Sequence, residues 1–257
     1  MTAGRGSGAG SAQEVARSWD ARADRYLELF RDELDGKPFD RAVLDEFARR
    51  AGPGARVCDA GCGPCGHVSA YLAGRGLRTL GIDLSPRCVE LARAQQPDCA
   101  FEVGDLRRMD LPAGVLPLDG LVSYYSLHDQ PKARLAGTVA AWARVIRPGG
   151  QLLVVAKEGA SDGVVADPMG SALRVYWAEY SAGELAAAIA GPFRVDTCRS
   201  RDAYDDEIPT RRIYLTARRL DGSAGPGGQS SRRTWLKKRR LAAGSSDVAP
   251  SRLDTSR

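Results

Sequence analysis

The sequence has no long apolar run, and this absence excludes a membrane-spanning protein. No stretch of the 257 residues approaches the roughly 18 to 20 apolar residues that a spanning helix needs. The N-terminal residues are mostly Gly, Ser and Ala and lack the roughly 7 to 15 apolar residues of a secretory signal. With 43% hydrophobic and 27% charged residues, the composition is that of a soluble globular protein. We therefore expect a cytoplasmic protein.

Excess charge is absent from most of the chain. From Asp221 onward there are eight basic and three acidic residues, which account for the whole formal charge of +5. The preceding residues are therefore neutral overall, so the folded domain is not expected to bind nucleic acid. Residues 1–11 and 221–257 are rich in Gly, Ser and charge, and we expect both ends to be disordered. An RNA- or peptide-directed activity that uses the basic tail remains the alternative to a small-molecule activity.

Six cysteines are present, and in a cytosolic chain they should stay reduced. Cys58, Cys62 and Cys65 have a C-x3-C-x2-C spacing that resembles the iron–sulfur motif of radical S-adenosylmethionine enzymes. Cys58 lies inside a predicted strand, however, whereas the other two lie in the turn beyond it, so the three thiols should point in different directions. We expect no metal at this motif.

Strand and helix signals alternate along the middle of the chain. Apolar residues recur at helical spacing through 12–34 and again after Pro38, which predicts two amphipathic N-terminal helices. Predicted strands at 55–60, 77–82, 100–103, 118–124 and 151–156 then alternate with predicted helices at 64–75, 86–95 and 132–147. This alternation favours an α/β fold with a parallel, doubly wound sheet.

The predicted order changes near the end of the chain. A helix is predicted at 181–190, and two strand-like runs, 193–200 and 211–218, follow with only a polar loop between them. Strands joined without a helix pair in opposite directions. We therefore predict a mostly parallel seven-stranded sheet whose last strand is antiparallel.

The strongest local signal is a glycine-rich turn between a strand and a helix, in the sequence VCDAGCGPCG at 57–66. Glycines let the backbone turn tightly and approach a ligand closely. Asp83 follows Gly63 by twenty residues and ends the next predicted strand. An acidic side chain at that place can accept hydrogen bonds from both hydroxyls of a ribose. The pattern predicts a site for a dinucleotide or a nucleoside.

Five motifs in collinear order resemble those of the class I S-adenosylmethionine-dependent methyltransferases, over residues 12–219. They are DAGCGPCG at 59–66, GIDLSPRCVELARA at 81–94, FEVGDLRRMDLP at 101–112, DGLVSYYSLHD at 119–129 and RVIRPGGQLLVV at 144–155. The N-terminal WDARADRY resembles the helix that covers the cofactor in many small-molecule members, which places Tyr26 over the site. One departure is Cys65, which stands where the family usually has its third glycine.

The resemblance implies S-adenosyl-L-methionine as the cofactor and assigns individual residues to it. Asp59, Gly61 and Gly63 would shape the pocket for the methionine moiety, and Asp83 would bind the ribose. Asp105 would face the adenine amine, with Leu106 beside the ring. The full predicted cofactor set is Tyr26, Asp59, Gly61, Cys62, Gly63, Asp83, Leu84, Asp105, Leu106 and Ser123.

The same resemblance implies a small-molecule acceptor, such as a natural product or a quinone-like precursor. The domain at 12–220 would comprise a helical lid at 12–50, a cofactor-binding core at 55–156 and an acceptor-pocket segment at 159–180. Methyl transfer is a direct displacement that mainly requires alignment and exclusion of water. His128 follows the fourth strand and is either a general base or a wall of the acceptor pocket. Asp129 leaves magnesium chelation open as a minor alternative.

Overall fold

Two helices precede the sheet in the computed structural model, which describes residues 11–112, 114–205 and 207–221. Helix α1 (Ala12–Phe30) begins with a capping box, in which Ser11 and Glu14 each bond the other's backbone N–H. Helix α2 (Pro38–Ala51) begins with a proline, whose missing N–H costs nothing in the first turn. Of the ends predicted to be disordered, 1–11 and 221–257, residues 1–10 and 222–257 lie outside the described residues, whereas Ser11 caps α1.

The described residues form nine strands and four further α-helices. The strands are β1 (Arg56–Ala60), β2 (Arg78–Asp83), β3 (Ala100–Val103), β4 (Leu118–Tyr124), β5 (Ile146–Lys157), β6 (Asp162–Ala166), β7 (Arg174–Ala178), β8 (Phe193–Arg201) and β9 (Arg212–Arg219). The helices are α3 (His67–Ala73), α4 (Pro86–Gln95), α5 (Leu135–Val145, after a 3-10 turn at Lys132–Arg134) and α6 (Ala182–Ile189). None of the described helices is both long enough and apolar enough to cross a bilayer.

Seven strands form one sheet in the order β3-β2-β1-β4-β5-β9-β8. The pairs from β3 to β5 are parallel, whereas β9 is antiparallel to both β5 and β8. This topology confirms the predicted α/β fold with an antiparallel last strand. The carboxyl ends of β1, β2, β4 and β5 meet at one edge, where ligands bind in open α/β sheets.

Alternating residues of the central strands fill two cores, one on each face of the sheet. On β5, Leu152 and Val154 belong to the core around Trp142, while Leu153 and Val155 belong to the core around Phe47. A period of two places successive side chains on opposite faces. The apolar runs that predicted the strands are therefore those of a sheet covered by helices on both sides.

A buried carboxylate ties helix α2 to the sheet. Asp40 is fully buried and accepts hydrogen bonds from the hydroxyls of Tyr124 at 2.6 Å and Tyr214 at 2.8 Å. Arg201 also donates to it, at 3.0 Å. The lid-side helix α2 is thus joined to β4, β8 and β9 through one side chain.

The segment at 161–180 differs from its prediction. No strand is predicted in this segment from the sequence, but β6 and β7 pair there as an antiparallel hairpin, separate from the main sheet. Alternate β6 residues are exposed, so this strand is not buried on both faces as the central strands are. Strand β5 also begins earlier than predicted, because Ile146 pairs with Leu118 across a bulge that contains the Pro-Gly-Gly turn.

Candidate active site

The glycine-rich turn lies between β1 and α3 and has a left-handed backbone at each of its three glycines. The φ angles are +81° at Gly61, +62° at Gly63 and +58° at Gly66. The N–H groups of Gly61 and Cys62 both donate to the carbonyl of Ile82, at 2.8 and 3.0 Å, which holds the turn against β2. Only glycine adopts this conformation at little cost.

Two of these glycines have different neighbours. A Cβ on Gly61 would lie 2.3 Å from the Cβ of Ser126, so the turn packs directly on the loop after β4. A Cβ on Gly63 would meet no protein atom within 4 Å, and Gly63 lines an adjoining cavity. The backbone of Gly63 is therefore open to a ligand.

Two buried carboxylates flank the turn. Asp83 accepts hydrogen bonds from the N–H groups of Gly63 at 3.0 Å and Ser85 at 2.9 Å, and burial raises its pKa to about 6. Asp59 accepts a hydrogen bond from the Ser69 hydroxyl at 2.8 Å through one oxygen, while its buried Oδ1 has no partner among the described residues. Burial also raises the pKa of Asp59 to about 6. An unpaired buried carboxylate oxygen suits a hydrogen-bond donor or a cation.

A first cavity of about 90 Å³ brings together nine of the ten residues predicted to bind the cofactor. Ser123 is the exception, because it is fully buried and its hydroxyl lies 2.7 Å from that of Ser126, which does line the cavity. The nine residues are Tyr26, Asp59, Gly61, Cys62, Gly63, Asp83, Leu84, Asp105 and Leu106. We call this space the cofactor cavity.

Asp105 lies in the cofactor cavity but is already engaged. Its carboxylate accepts the backbone N–H of Arg107 at 2.9 Å and forms an ion pair with the guanidinium of the same residue at 2.8 Å. An adenine amine facing Asp105, as the resemblance implies, would share the carboxylate with Arg107. Leu106 is fixed nearby, since its carbonyl accepts the indole N–H of Trp142 at 2.9 Å.

Sequence reasoning missed several residues of the cofactor cavity. His67 lines the cavity, and its Nε2 lies 3.4 Å from the Glu33 carboxylate. Trp19 also lines the cavity, and its ring packs edge-on against Tyr26 at 5.3 Å. The sequence could have predicted Trp19 as a lining residue, because it lies seven residues before Tyr26 and therefore on the same helix face. Tyr124, Tyr125 and Ser126, which follow the predicted Ser123, also line the cavity, and the remaining lining residues are Val15, Val68, Gly104, Arg107, Asp129 and Gln130.

A second cavity of about 490 Å³ adjoins the first, and we call it the acceptor cavity. Trp19, Tyr26, Tyr125 and Asp129 line both spaces. Tyr125 has a φ of +53°, a costly conformation for a bulky residue, at the boundary between them. The remaining acceptor-cavity residues are Arg22, Glu28, Leu29, Phe30, Arg31, Asp32, Glu33, Gly36, Lys37, His128, Lys157, Pro168, Met169, Trp177, Glu207, Ile208 and Arg212.

His128 faces the acceptor cavity and does not line the cofactor cavity. Its Nδ1 lies 2.9 Å from the carbonyl of Ala178, and because a carbonyl only accepts, Nδ1 carries the proton. The buried Nε2 therefore presents a lone pair, and it has no partner among the described residues. Burial, with the charges of Lys157 and Arg212, lowers the pKa of His128 to about 3. The imidazole is neutral at physiological pH and is a weak base.

No group of three or more His, Cys, Asp or Glu residues that could hold a metal ion occurs within the described ranges. Cys58, Cys62 and Cys65 are buried free thiols, and burial raises the pKa of each. Asp129, the minor candidate for magnesium, accepts the Trp19 indole N–H at 2.9 Å and lies 3.8 Å from the Arg22 guanidinium.

Comparison with known proteins finds similarity to methyltransferases. Residues 57–150 match a family model described as a methyltransferase domain. Demethylmenaquinone methyltransferase of Beutenbergia cavernae is 36% identical over 146 residues, which cover 57% of this chain and 56% of that protein. Trans-aconitate 2-methyltransferase of Methylobacterium nodulans is 32% identical over 193 residues, which cover 72% of this chain and 66% of that protein. The chain thus spans between about half and two thirds of the length of these relatives.

A solved structure has the same fold. It is that of Burkholderia thailandensis 1,6-didemethyltoxoflavin-N1-methyltransferase, with bound 1,6-didemethyltoxoflavin and S-adenosylhomocysteine. The TM-score is 0.60 at 22% sequence identity, and the alignment covers 82% of this chain and 91% of that one. At this identity the likeness shows the fold alone.

Proposed function

Because the chain belongs to the class I S-adenosylmethionine-dependent methyltransferases, we propose that it transfers a methyl group from S-adenosylmethionine to a small-molecule acceptor. The observation that carries the proposal is the cofactor cavity, which combines an open glycine backbone with two buried carboxylates. The described residues fit a nucleoside that carries a cationic amino-acid tail.

The fit can be stated residue by residue. Oδ1 of Asp59 has no partner and would receive the ammonium of the methionine moiety. Gly63 would let the ligand lie against the backbone. Asp83 keeps a free lone pair on each oxygen after its two backbone bonds and would accept the ribose hydroxyls. Asp105 and Leu106 would flank the adenine. The described cavity has a volume of about 90 Å³, and Val15, Trp19 and Tyr26 of α1 form part of its wall, so α1 is the element that we propose as the lid.

The acceptor cavity supports a small-molecule acceptor. It shares aromatic lining residues with the cofactor cavity, so a molecule held there would meet the ligand at the boundary that Tyr26 and Tyr125 line. The names of the two relatives and of the solved structure described above indicate that those proteins act on demethylmenaquinone, trans-aconitate and 1,6-didemethyltoxoflavin. A natural product or a quinone-like precursor is the acceptor class we propose.

The residues of this chain would contribute by aligning the reactants and excluding water. When bound, S-adenosylmethionine supplies an electrophilic methyl group on a sulfonium. Tyr26 and Trp19 cover the boundary between the two cavities and would exclude water from it. Holding nucleophile, methyl carbon and sulfur in line accounts for most of the acceleration that this reaction needs. A neutral His128 can accept a hydrogen bond from the acceptor through Nε2.

The cofactor assignment predicts that Asp83→Ala weakens the binding of S-adenosylhomocysteine about ten- to a hundred-fold. A carboxylate that accepts two ribose hydrogen bonds contributes roughly 1.5 to 3 kcal/mol. Calorimetric titration of wild type and variant measures the effect, and Asp24→Ala, an exposed carboxylate outside both cavities, is the matched control. Equal affinity in Asp83→Ala and wild type, with circular dichroism showing both folded, would remove Asp83 from the site. Mass spectrometry of candidate acceptors for a gain of one methyl group tests the transfer itself.

His128 carries a separate prediction about pH. Because its pKa is lowered from 6.5 to about 3, it stays neutral between pH 5 and 8 and gives the rate no acidic limb in that range. His128→Gln, which keeps a neutral hydrogen-bonding group, should retain the maximal rate within about threefold and raise the KM for the acceptor about three- to tenfold. The measurement is the rate at saturating acceptor against pH in both proteins. An acidic limb near 6.5 that disappears in the variant would instead make His128 the general base.

A further inference from the structure

Lys157 is the feature of the acceptor cavity that the proposed chemistry leaves unexplained. It is the last residue of β5, partly buried, and its ammonium lies 4.3 Å from the centre of the Trp177 ring. Its backbone carbonyl accepts the N–H of Tyr180 at 3.2 Å, but within the described part of the chain its ammonium donates no hydrogen bond and has no carboxylate within ion-pair distance. Charged groups are rarely buried without a partner, because removing them from water costs more than a ring contact returns.

The other partly or fully buried cations of the acceptor cavity are paired. Lys37 contacts the carboxylates of Glu33 and Glu207, the latter at 2.8 Å. Arg22 lies 3.3 Å from Asp167 and 3.8 Å from Asp129. Arg212 lies 3.6 Å from Glu207 and donates to nearby carbonyls. Each of these cations thus has an anionic partner, whereas the Lys157 ammonium has none within ion-pair distance among the described residues.

The pKa of Lys157 is consistent with an ammonium that has no anionic partner. Burial and the neighbouring Arg212 and Lys37 lower the pKa of Lys157 to about 8, although Glu33 and Glu179 act in the opposite direction. A site that disfavours its own ammonium gains when a negative ligand arrives. His128 adds a second requirement, since the lone pair on its Nε2 repels an anion and favours a donor.

We propose that the acceptor is an acid whose carboxylate binds the Lys157 ammonium, with a hydroxyl or N–H group directed to His128. The lining also includes the apolar side chains of Leu29, Phe30, Met169 and Ile208, which would contact the apolar part of such an acceptor. The inference rests on the proposed function only in taking this cavity as the acceptor site. It narrows the acceptor from any small molecule to an acidic one.

The test compares two probes of the same size, 2-naphthoate and the neutral 2-naphthamide, in which an NH2 group replaces one carboxylate oxygen. Each is titrated calorimetrically into the full-length protein saturated with S-adenosylhomocysteine, after the affinity for S-adenosylhomocysteine has been measured. Wild type should bind the carboxylate at least tenfold more tightly than the amide, because only the carboxylate can form an ion pair with the partly buried ammonium. Lys157→Gln should lose this preference.

Lys132→Gln is the matched control. Its ammonium also lies over an aromatic ring, 5.7 Å from the centre of Tyr180, but it lies outside both cavities and pairs with Glu184. This variant should keep the wild-type preference. Equal binding of both probes by wild type, no binding of either probe, or a preference retained in Lys157→Gln overturns the proposal. If S-adenosylhomocysteine itself does not bind, the proposed function fails; if it binds and the charge preference is missing, only this inference fails.

Discussion

Gly61→Ala is expected to lose S-adenosylhomocysteine binding at least a hundred-fold, although only one methyl group is added. The new Cβ would lie 2.3 Å from the Cβ of Ser126, and alanine at a φ of +81° is also strained. Because both contacting atoms are next to the backbone, the turn and the loop after β4 must separate. Calorimetric titration measures the loss, and circular dichroism shows whether the sheet still forms.

Two further variants separate the clash from other causes. Gly63→Ala also has a positive φ, but its Cβ would meet no protein atom within 4 Å, so this variant should fold with a cost of about 1 to 2 kcal/mol. The double variant Gly61→Ala, Ser126→Gly lacks the Ser126 Cβ that the new methyl group would clash with. Its affinity for S-adenosylhomocysteine should be at least tenfold higher than that of Gly61→Ala alone. Wild-type affinity in the folded single variant Gly61→Ala would contradict the packing described here.

Asp40→Ala is expected to lower the free energy of unfolding by about 3 to 5 kcal/mol. The change leaves the hydroxyls of Tyr124 and Tyr214 and part of the Arg201 guanidinium without their shared acceptor in a buried place. Breaking a buried charged network by removing one partner has a cost of this size. Urea unfolding monitored by circular dichroism gives the difference.

Tyr124→Phe is the control for that prediction, since it removes one hydrogen bond and keeps the carboxylate paired with Arg201. Its expected cost is about 1 kcal/mol. If Asp40→Ala were no more destabilising than Tyr124→Phe, Asp40 would not be the link between α2 and the sheet that its contacts indicate.

The sequence predicted the centre of the main sheet well because β1, β4 and most of β5 are buried on both faces. The bounds of α4, β3 and β4 agree with the prediction residue for residue. The β6–β7 hairpin could not be found in the same way, because its strands are half exposed and their partner is each other. Helix α3 was predicted to begin at Pro64 but begins at His67, because the left-handed Gly66 must come first.

The residues of the cofactor cavity were easier to predict than those of the acceptor cavity, because several of them are close together in the sequence. Asp59, Gly61 and Gly63 lie within five residues of one another, so their geometry depends on one turn. In the sequence, nothing distinguishes Lys157 from an exposed charged residue at the end of a strand. It becomes part of a site only because β5, β7 and β9 bring Trp177 and Arg212 to it, and such pairings are set by the tertiary fold.

The two cavities share only Trp19, Tyr26, Tyr125 and Asp129, and this division has a consequence for divergence and engineering. Most of the acceptor wall comes from α1, the β6–β7 hairpin and the loop before β9, none of which carries the glycine-rich turn. Under the roles proposed above, mutations at Met169, Trp177 or Ile208 would reshape the acceptor cavity without changing any residue that lines the cofactor cavity. A library restricted to those positions would therefore vary acceptor specificity while the proposed donor site keeps its residues.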